Sequence, residues 1–235
     1  MFKGLYKSPM EMVLDINSTS VYWGAVTLAC LLGAMSPGPS LVIIVNYSLS
    51  QGRLAGVCAA LAHGVGISIF AFATAFGLVV AVDKNPLLFG AIQIFGSFFL
   101  LLMAVKLLFA PLDKQIDIVV AARASLVTAA RDGFLIALIN PKILFFFTAL
   151  FSQFVRVDSE PWEKLGLTLI AGGVDALWYI LVAIVISQTG ALSKFQRNSW
   201  WLDKIFSVLL FAIAVHFIQE ISQTSDFSLL LSWPF

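Results

Sequence analysis

The chemistry open to this chain rests on a few polar side chains set in long apolar runs. Asp175 is the single charged residue between Lys164 and Lys194. Trp178 and Tyr179 follow it at i+3 and i+4, on the same face of a helix. A carboxylate beside an aromatic face can hold an ammonium ion by charge and cation–π attraction. It can equally be a packing carboxyl bonded to a serine or threonine of a neighbouring helix. Lys142 directly follows Asn140-Pro141. It could bind a carboxylate, or reach out to lipid headgroups as lysines near helix ends do. His63 and His216 are lone titratable groups in apolar runs and read as hydrogen-bonded packing residues rather than proton relays.

The second chemical signal is backbone. Ser36-Pro37-Gly38-Pro39-Ser40 lies inside an uncharged run from Ile16 to Gly52. Each proline removes an N–H and clashes with the carbonyl four residues back, here Gly33 and Met35. Gly38 is free to take positive φ. A helix must break here. Irregular backbone at membrane depth survives only where it is buried in protein or lines a wet cavity, which is how many transporters build a binding site. Pro141 repeats the effect against Ala137, and the Asn140 amide can replace missing backbone partners.

These residues need long apolar elements to carry them, and the composition supplies them. Of 235 residues, 60% are hydrophobic and 11% charged, against about 25% charged in soluble domains. The shortage runs along the whole chain, so an all-α polytopic membrane protein is expected. A net charge of +1 argues against a nucleic-acid partner. Cys30 and Cys58 form no CxxC, so neither a disulfide scaffold nor a thiol-redox site is indicated.

Spans of about 20 apolar residues are expected at 21–49, 54–82, 87–109, 133–155, 165–193 and 200–219. A short surface helix is expected within 110–132. Residues 1–20 lack the order of a cleaved signal peptide, and the apolar tail 227–235 is too short to cross. Gly52 to Gly56 fits GxxxG at a membrane edge, a match common by chance. Six spans put both termini on one side. Arg53, Lys106, Lys114, Arg123, Arg131, Lys194, Arg197 and Lys204 fall in one set of loops, and Lys3, Lys7, Lys84, Arg156 and Lys164 in the other. Eight against five makes the first set cytoplasmic and the termini external. The breaks fall in spans one and four, so a 3+3 inverted repeat would bring them face to face near the midplane.

Ser36-Pro37-Gly38-Pro39 followed by Gln51-Gly52-Arg53 resembles the first signature of the LysE/RhtB family of amino-acid exporters. Asn140-Pro141-Lys142, with Phe145-Phe146 and Gln153-Phe154-Val155, resembles its second, and Asp175 with Trp178-Tyr179 is similar to its fifth span. Ser40 stands where many members carry Asp or Asn, which leaves the substrate open. The resemblance implies a multi-pass exporter of amino acids or related zwitterions in the bacterial inner membrane, driven by the proton gradient, with no enzymatic step and no cofactor. It implies a single transporter domain over 21–220, between an N-terminal extension (1–20) and a C-terminal tail (221–235). The expected partners are an amino-acid substrate, protons and the lipid bilayer, with homo-oligomerisation left open. Pro37, Gly38, Pro39, Ser40, Asn140, Pro141, Lys142, Trp178 and Tyr179 are the expected substrate-binding residues, and Asp175 the proton-coupling group. The alternative is a divalent-metal exporter, for which His63, Cys58 and Asp175 look too scattered. A thiol-disulfide carrier would need cysteines where Ser36 and Ser40 stand.

Overall fold

The computed structural model describes residues 19–84, 86–110, 125–155, 160–187 and 200–223. They form eight helices and, among the described residues, no strand: α1 Thr19–Met35, α2 Pro39–Gln51, α3 Arg53–Lys84, α4 Pro86–Leu108, α5 Leu126–Ile139, α6 Pro141–Phe154, α7 Pro161–Ile186 and α8 Trp200–Gln223. α3, α4, α7 and α8 are each long and apolar enough to cross a membrane. The pairs α1–α2 and α5–α6, bent by 60° and 53°, raise the number of spans to six if each pair is one broken span. Large side chains such as Phe95, Phe98, Leu102, Leu177 and Leu181 face outward. In water they would be an aggregation hazard; against acyl chains they are in their own solvent.

Both breaks fall where the prolines demand. The first helix closes with Ser36 N–H donating to Leu32 O at 3.0 Å, and α2 reopens with Pro39 in its first turn. A missing N–H costs nothing there. Gly38 is the N-cap, but at φ −168° its backbone is extended and open to any residue, so the expected positive φ is not used. A Cβ at Gly38 would lie 3.6 Å from Lys142 Cδ and Nζ, in ordinary contact. The only positive φ among the described residues is at Gly52 (89°), where the chain turns from α2 into α3. At the second break Asn140 serves both helices. Its N–H donates to Ile136 O at 3.1 Å, and its Oδ1 accepts from Lys142 N–H at 3.0 Å.

The helix ends depart from the sequence expectation in three places. The α5 helix starts at Leu126 rather than 133, because Ser125 caps it by accepting from Thr128 N–H. Arg131 and Asp132 are therefore helical, and Asp132 is satisfied by the Tyr47 hydroxyl at 2.6 Å and by Arg131. The α7 helix starts at Pro161 behind a Glu160–Glu163 capping box and ends at Ile186. Asp203 and Lys204 belong to the first turn of α8 and not to a loop. Of the stretch 110–132 in which a surface helix is expected, residues 111–124 lie outside the described residues, as do the loop residues Lys194 and Arg197, the first 18 residues and the tail 227–235.

Glycines set how closely the helices approach. The most extensive packing joins α3 to α7. There a Cβ on Gly64 would come 2.9 Å from Gly172 O, and one on Gly172 would come 2.7 Å from Gly64 O. Gly56 packs against Ser48 and Ala183, so the GxxxG match at Gly52 is half real: its second glycine is a packing residue and its first a turn. Two buried clusters result. One runs through Phe146, Phe151, Phe206 and Leu210; the other runs through Leu41, Ile44, Tyr179 and Val182.

Candidate functional site

The two breaks meet. Lys142, at the start of α6, turns inward, and its ammonium donates to the Ser36 carbonyl at 3.0 Å. Asn140 Nδ2 donates to Ser40 Oγ at 3.2 Å, and Ser40 and Tyr179 of α7 line the same cavity. Backbone freed by one break is thus satisfied by side chains of the other, the condition for irregular backbone inside a membrane. Lys142 is thereby held against the first break. Behind Ser36 its hydroxyl donates to Asp203 Oδ1 at 3.5 Å, and Asp203 is 1% exposed.

Across the same space α3 and α7 bring His63 to Asp175. Nδ1 of the imidazole lies 2.6 Å from Asp175 Oδ2, with both side chains buried. The edge of one ring meets the face of the other where His63 packs on Tyr179, at 5.0 Å between centroids. The second imidazole nitrogen, Nε2, is buried and has no hydrogen-bond partner among the described residues. The hydrogen bond expected of His63 is present, and its partner is Asp175. Its distance from the carboxylate is set by the neighbouring Gly64 and by Gly172, one turn before Asp175.

One cavity collects these groups. Six of the residues singled out in the sequence, Gly38, Ser40, Asn140, Lys142, Asp175 and Tyr179, line it. Ser36, His63 and Cys30 join them, with an apolar wall that includes Ile67, Phe146, Phe147 and Ala171. Pro37, Pro39 and Pro141 are not part of the lining; they make the breaks that expose their neighbours. Trp178 does not line it either. It packs on the second core cluster, and its indole N–H is buried without a partner among the described residues. A helix turns 100° per residue, so positions 178 and 179 diverge although both follow Asp175 by about one turn. His216 lies apart, in ring contact with Phe217. Of the three residues weighed as metal ligands, His63 and Asp175 touch, while Cys58 is replaced at the cavity by Cys30.

Sequence reasoning missed Ser36, Cys30 and Asp203 as neighbours of the site. Asp203 carried a readable signal, a carboxylate directly after the apolar Trp200-Trp201-Leu202 at a span's edge. Cys30 carried none.

The sequence model of the LysE type translocator family matches residues 31–221, which spans both breaks, the His63–Asp175 pair and most of α8. The threonine efflux protein of Escherichia coli (strain K12) is 24% identical over 196 residues, covering 82% of this chain and 95% of that protein. The threonine efflux protein of Salmonella typhi matches to the same extent. The leucine efflux protein of Salmonella choleraesuis (strain SC-B67) is 23% identical over 207 residues, 86% of this chain and 94% of that protein. No solved structure matches the chain.

Proposed function

We propose, from the premise that this multi-pass membrane chain belongs to the LysE type translocator family, that it exports amino acids or closely related zwitterions across the bacterial inner membrane in exchange for protons. The observation that carries this reading is that Lys142 and Asp175, a cation and a carboxylate, line one cavity between two broken helices. An amino acid carries the complementary pair. Its carboxylate goes to Lys142 and to the hydroxyls of Ser36 and Ser40, and its ammonium to Asp175 against the Tyr179 ring. Phe146, Phe147 and Ile67 leave the side chain an apolar wall. Threonine and leucine, the substrates named for the relatives, both fit a wall with no further charge. A metal-cation exporter is disfavoured by the same cavity, because the Lys142 ammonium repels a dication.

The two breaks are the working parts of a 3+3 inverted repeat, with α1–α2 and α5–α6 as its broken first and fourth spans. The end of the bundle carrying Arg53, Lys106, Arg131 and Lys204 is cytoplasmic by the positive-inside rule. Coupling follows from competition. A substrate ammonium arriving at Asp175 favours the bare carboxylate and drives off the positive charge that balanced it, so inward protons and outward substrate alternate on one site.

The test is uptake into inverted membrane vesicles with an imposed pH gradient, using labelled L-threonine, L-leucine and other neutral amino acids. Wild-type protein concentrates at least one of them when the vesicle interior is acidic. Asp175→Asn inserts normally but loses concentration against the gradient. Failure of the whole panel at every gradient refutes the exporter reading. Full accumulation by the asparagine variant makes Asp175 a packing residue.

A further inference from the structure

We propose that the coupling proton is carried on Nε2 of His63, so that Asp175 balances one cation at a time, either the imidazolium or the substrate ammonium. This rests on the exporter reading and adds to it the atom that takes the proton.

The geometry divides the work between the two imidazole nitrogens. Nδ1 is committed to Asp175 Oδ2 at 2.6 Å. A hydrogen bond on one ring nitrogen fixes the role of the other, so proton gain and loss fall to Nε2. That atom is buried without a partner among the described residues, on a side chain that is 1% exposed and lines the substrate cavity. An imidazole used only for packing would normally have its second nitrogen satisfied. Here the groups that could change its charge all lie around the same space. Asp175 and Tyr179 face it from α7, Lys142 stands across the cavity from α6, and Cys30 lines the cavity from α1. On α2 and α5 the nearest ionisable groups, Tyr47 and the Arg131–Asp132 pair, are bonded to each other. On α4, Lys106 is exposed at the last turn. Asp175 is the carboxylate in the cavity, so two cations compete for one anion.

The step balances as follows. In the empty carrier His63 holds protons on both nitrogens and pairs with the Asp175 carboxylate. A zwitterion enters, its carboxylate meets Lys142, and its ammonium takes Asp175. The Nε2–H bond breaks, and the proton leaves to water on the side from which the substrate came. After the substrate departs on the other side, a proton from that side forms the bond again. One proton moves inward for each zwitterion moved outward, together with one net positive charge.

Full-length protein reconstituted in lipid vesicles separates the possibilities, with labelled L-leucine and L-threonine as probes. Counterflow without a gradient reports substrate exchange, and accumulation under an imposed pH gradient reports coupling. His63→Gln keeps an amide donor for Asp175 but cannot titrate. The ratio of gradient-driven accumulation to counterflow should fall at least tenfold in this variant, and proton release on adding probe should vanish. The chain has two histidines, so His216→Gln leaves one imidazole for nitrogen NMR in an otherwise native protein. In it Nε2 should be protonated without probe and bare with probe, while Nδ1 stays hydrogen-bonded. That readout stands even if His63→Gln fails to fold. An unchanged ratio in His63→Gln, or an Nε2 indifferent to probe at every pH where transport is driven, overturns the proposal while leaving the exporter reading intact. Wild-type protein that moves neither these probes nor any other neutral amino acid of the panel refutes both.

Discussion

Gly172 and Gly173 are adjacent, yet replacing them with alanine should give opposite results. A Cβ on Gly172 would stand 2.7 Å from the Gly64 carbonyl oxygen and collide with Ser68 Oγ, which is itself bonded to Gly64 O at 2.9 Å. Ordinary contact begins at 3.4 Å, so α3 and α7 would have to part by about 0.7 Å at a crossing already at native density. Overpacking of this kind costs about 1–3 kcal/mol. The same displacement would stretch the His63–Asp175 contact from 2.6 Å to about 3.3 Å, beyond the usual charge-assisted range of about 2.7–2.9 Å. Most of a charged hydrogen bond, about 1.5–3 kcal/mol, would be lost with it. Gly173 faces outward with nothing within 4 Å of a Cβ, and alanine there should gain up to about 1 kcal/mol of helix propensity. The assays are thermal unfolding in detergent and gradient-driven uptake in vesicles. At about 2–4 °C per kcal/mol, Gly172→Ala should melt several degrees lower and lose about tenfold or more in accumulation. Gly173→Ala should match or slightly exceed wild type in both. Equal behaviour of the two variants would refute the claim that this crossing sets the His63–Asp175 distance.

Replacing Pro37 and Pro39 together with alanine should let α1 run on into α2 and pull Ser36 and Ser40 out of the cavity; the protein should still insert, and export should fall to background in whole-cell efflux. Lys142→Gln should raise the half-saturating substrate concentration about tenfold or more in vesicle uptake, the loss of one charge-assisted bond at about 1.4 kcal/mol per tenfold. Lys142→Arg should rescue it poorly, because a planar fork does not replace a compact ammonium.

The parts of the site that were legible in the sequence act locally. A proline removes its own N–H and obstructs a carbonyl four residues back, so the breaks at Pro37–Pro39 and Pro141 follow from covalent structure alone. The lining role of Ser40, Asn140 and Lys142 follows from adjacency to those breaks. What was not legible depends on how helices cross. His63 and Asp175 are 112 residues apart, and nothing local joins them; the signal was a glycine next to one and a glycine one turn before the other, which lets two spans touch. Arg131 and Asp132 fall within the expected surface stretch 110–132, before the span expected from 133, and two adjacent charges are expensive inside a span. The Tyr47 hydroxyl, from a different helix, removes that expense. Gly38 shows the opposite error. Its permissive backbone suggested positive φ, but an extended N-cap satisfied the geometry first.

The two breaks are unequal, and the inequality bears on how a ligand can bind. At the first, Gly38 offers no side-chain cap, so the end of α1 has only backbone to present. At the second, Asn140 caps α6 with its own Oδ1 and still has an amide free for Ser40. The second break is therefore the donor and the first the acceptor, and Lys142 is the strongest link between them. An ammonium carries three donors. One of them meets the Ser36 carbonyl, so a carboxylate arriving in the cavity finds the ammonium already placed at the end of α1. The cavity is about 30 Å³, room for little more than water, so it must widen to take an amino acid around that contact. An arginine at this position would lay a flat fork across the same carbonyl and turn its remaining N–H groups into the plane of that contact. The charge would survive such a change, but the geometry that lets one cation hold backbone and ligand together would not.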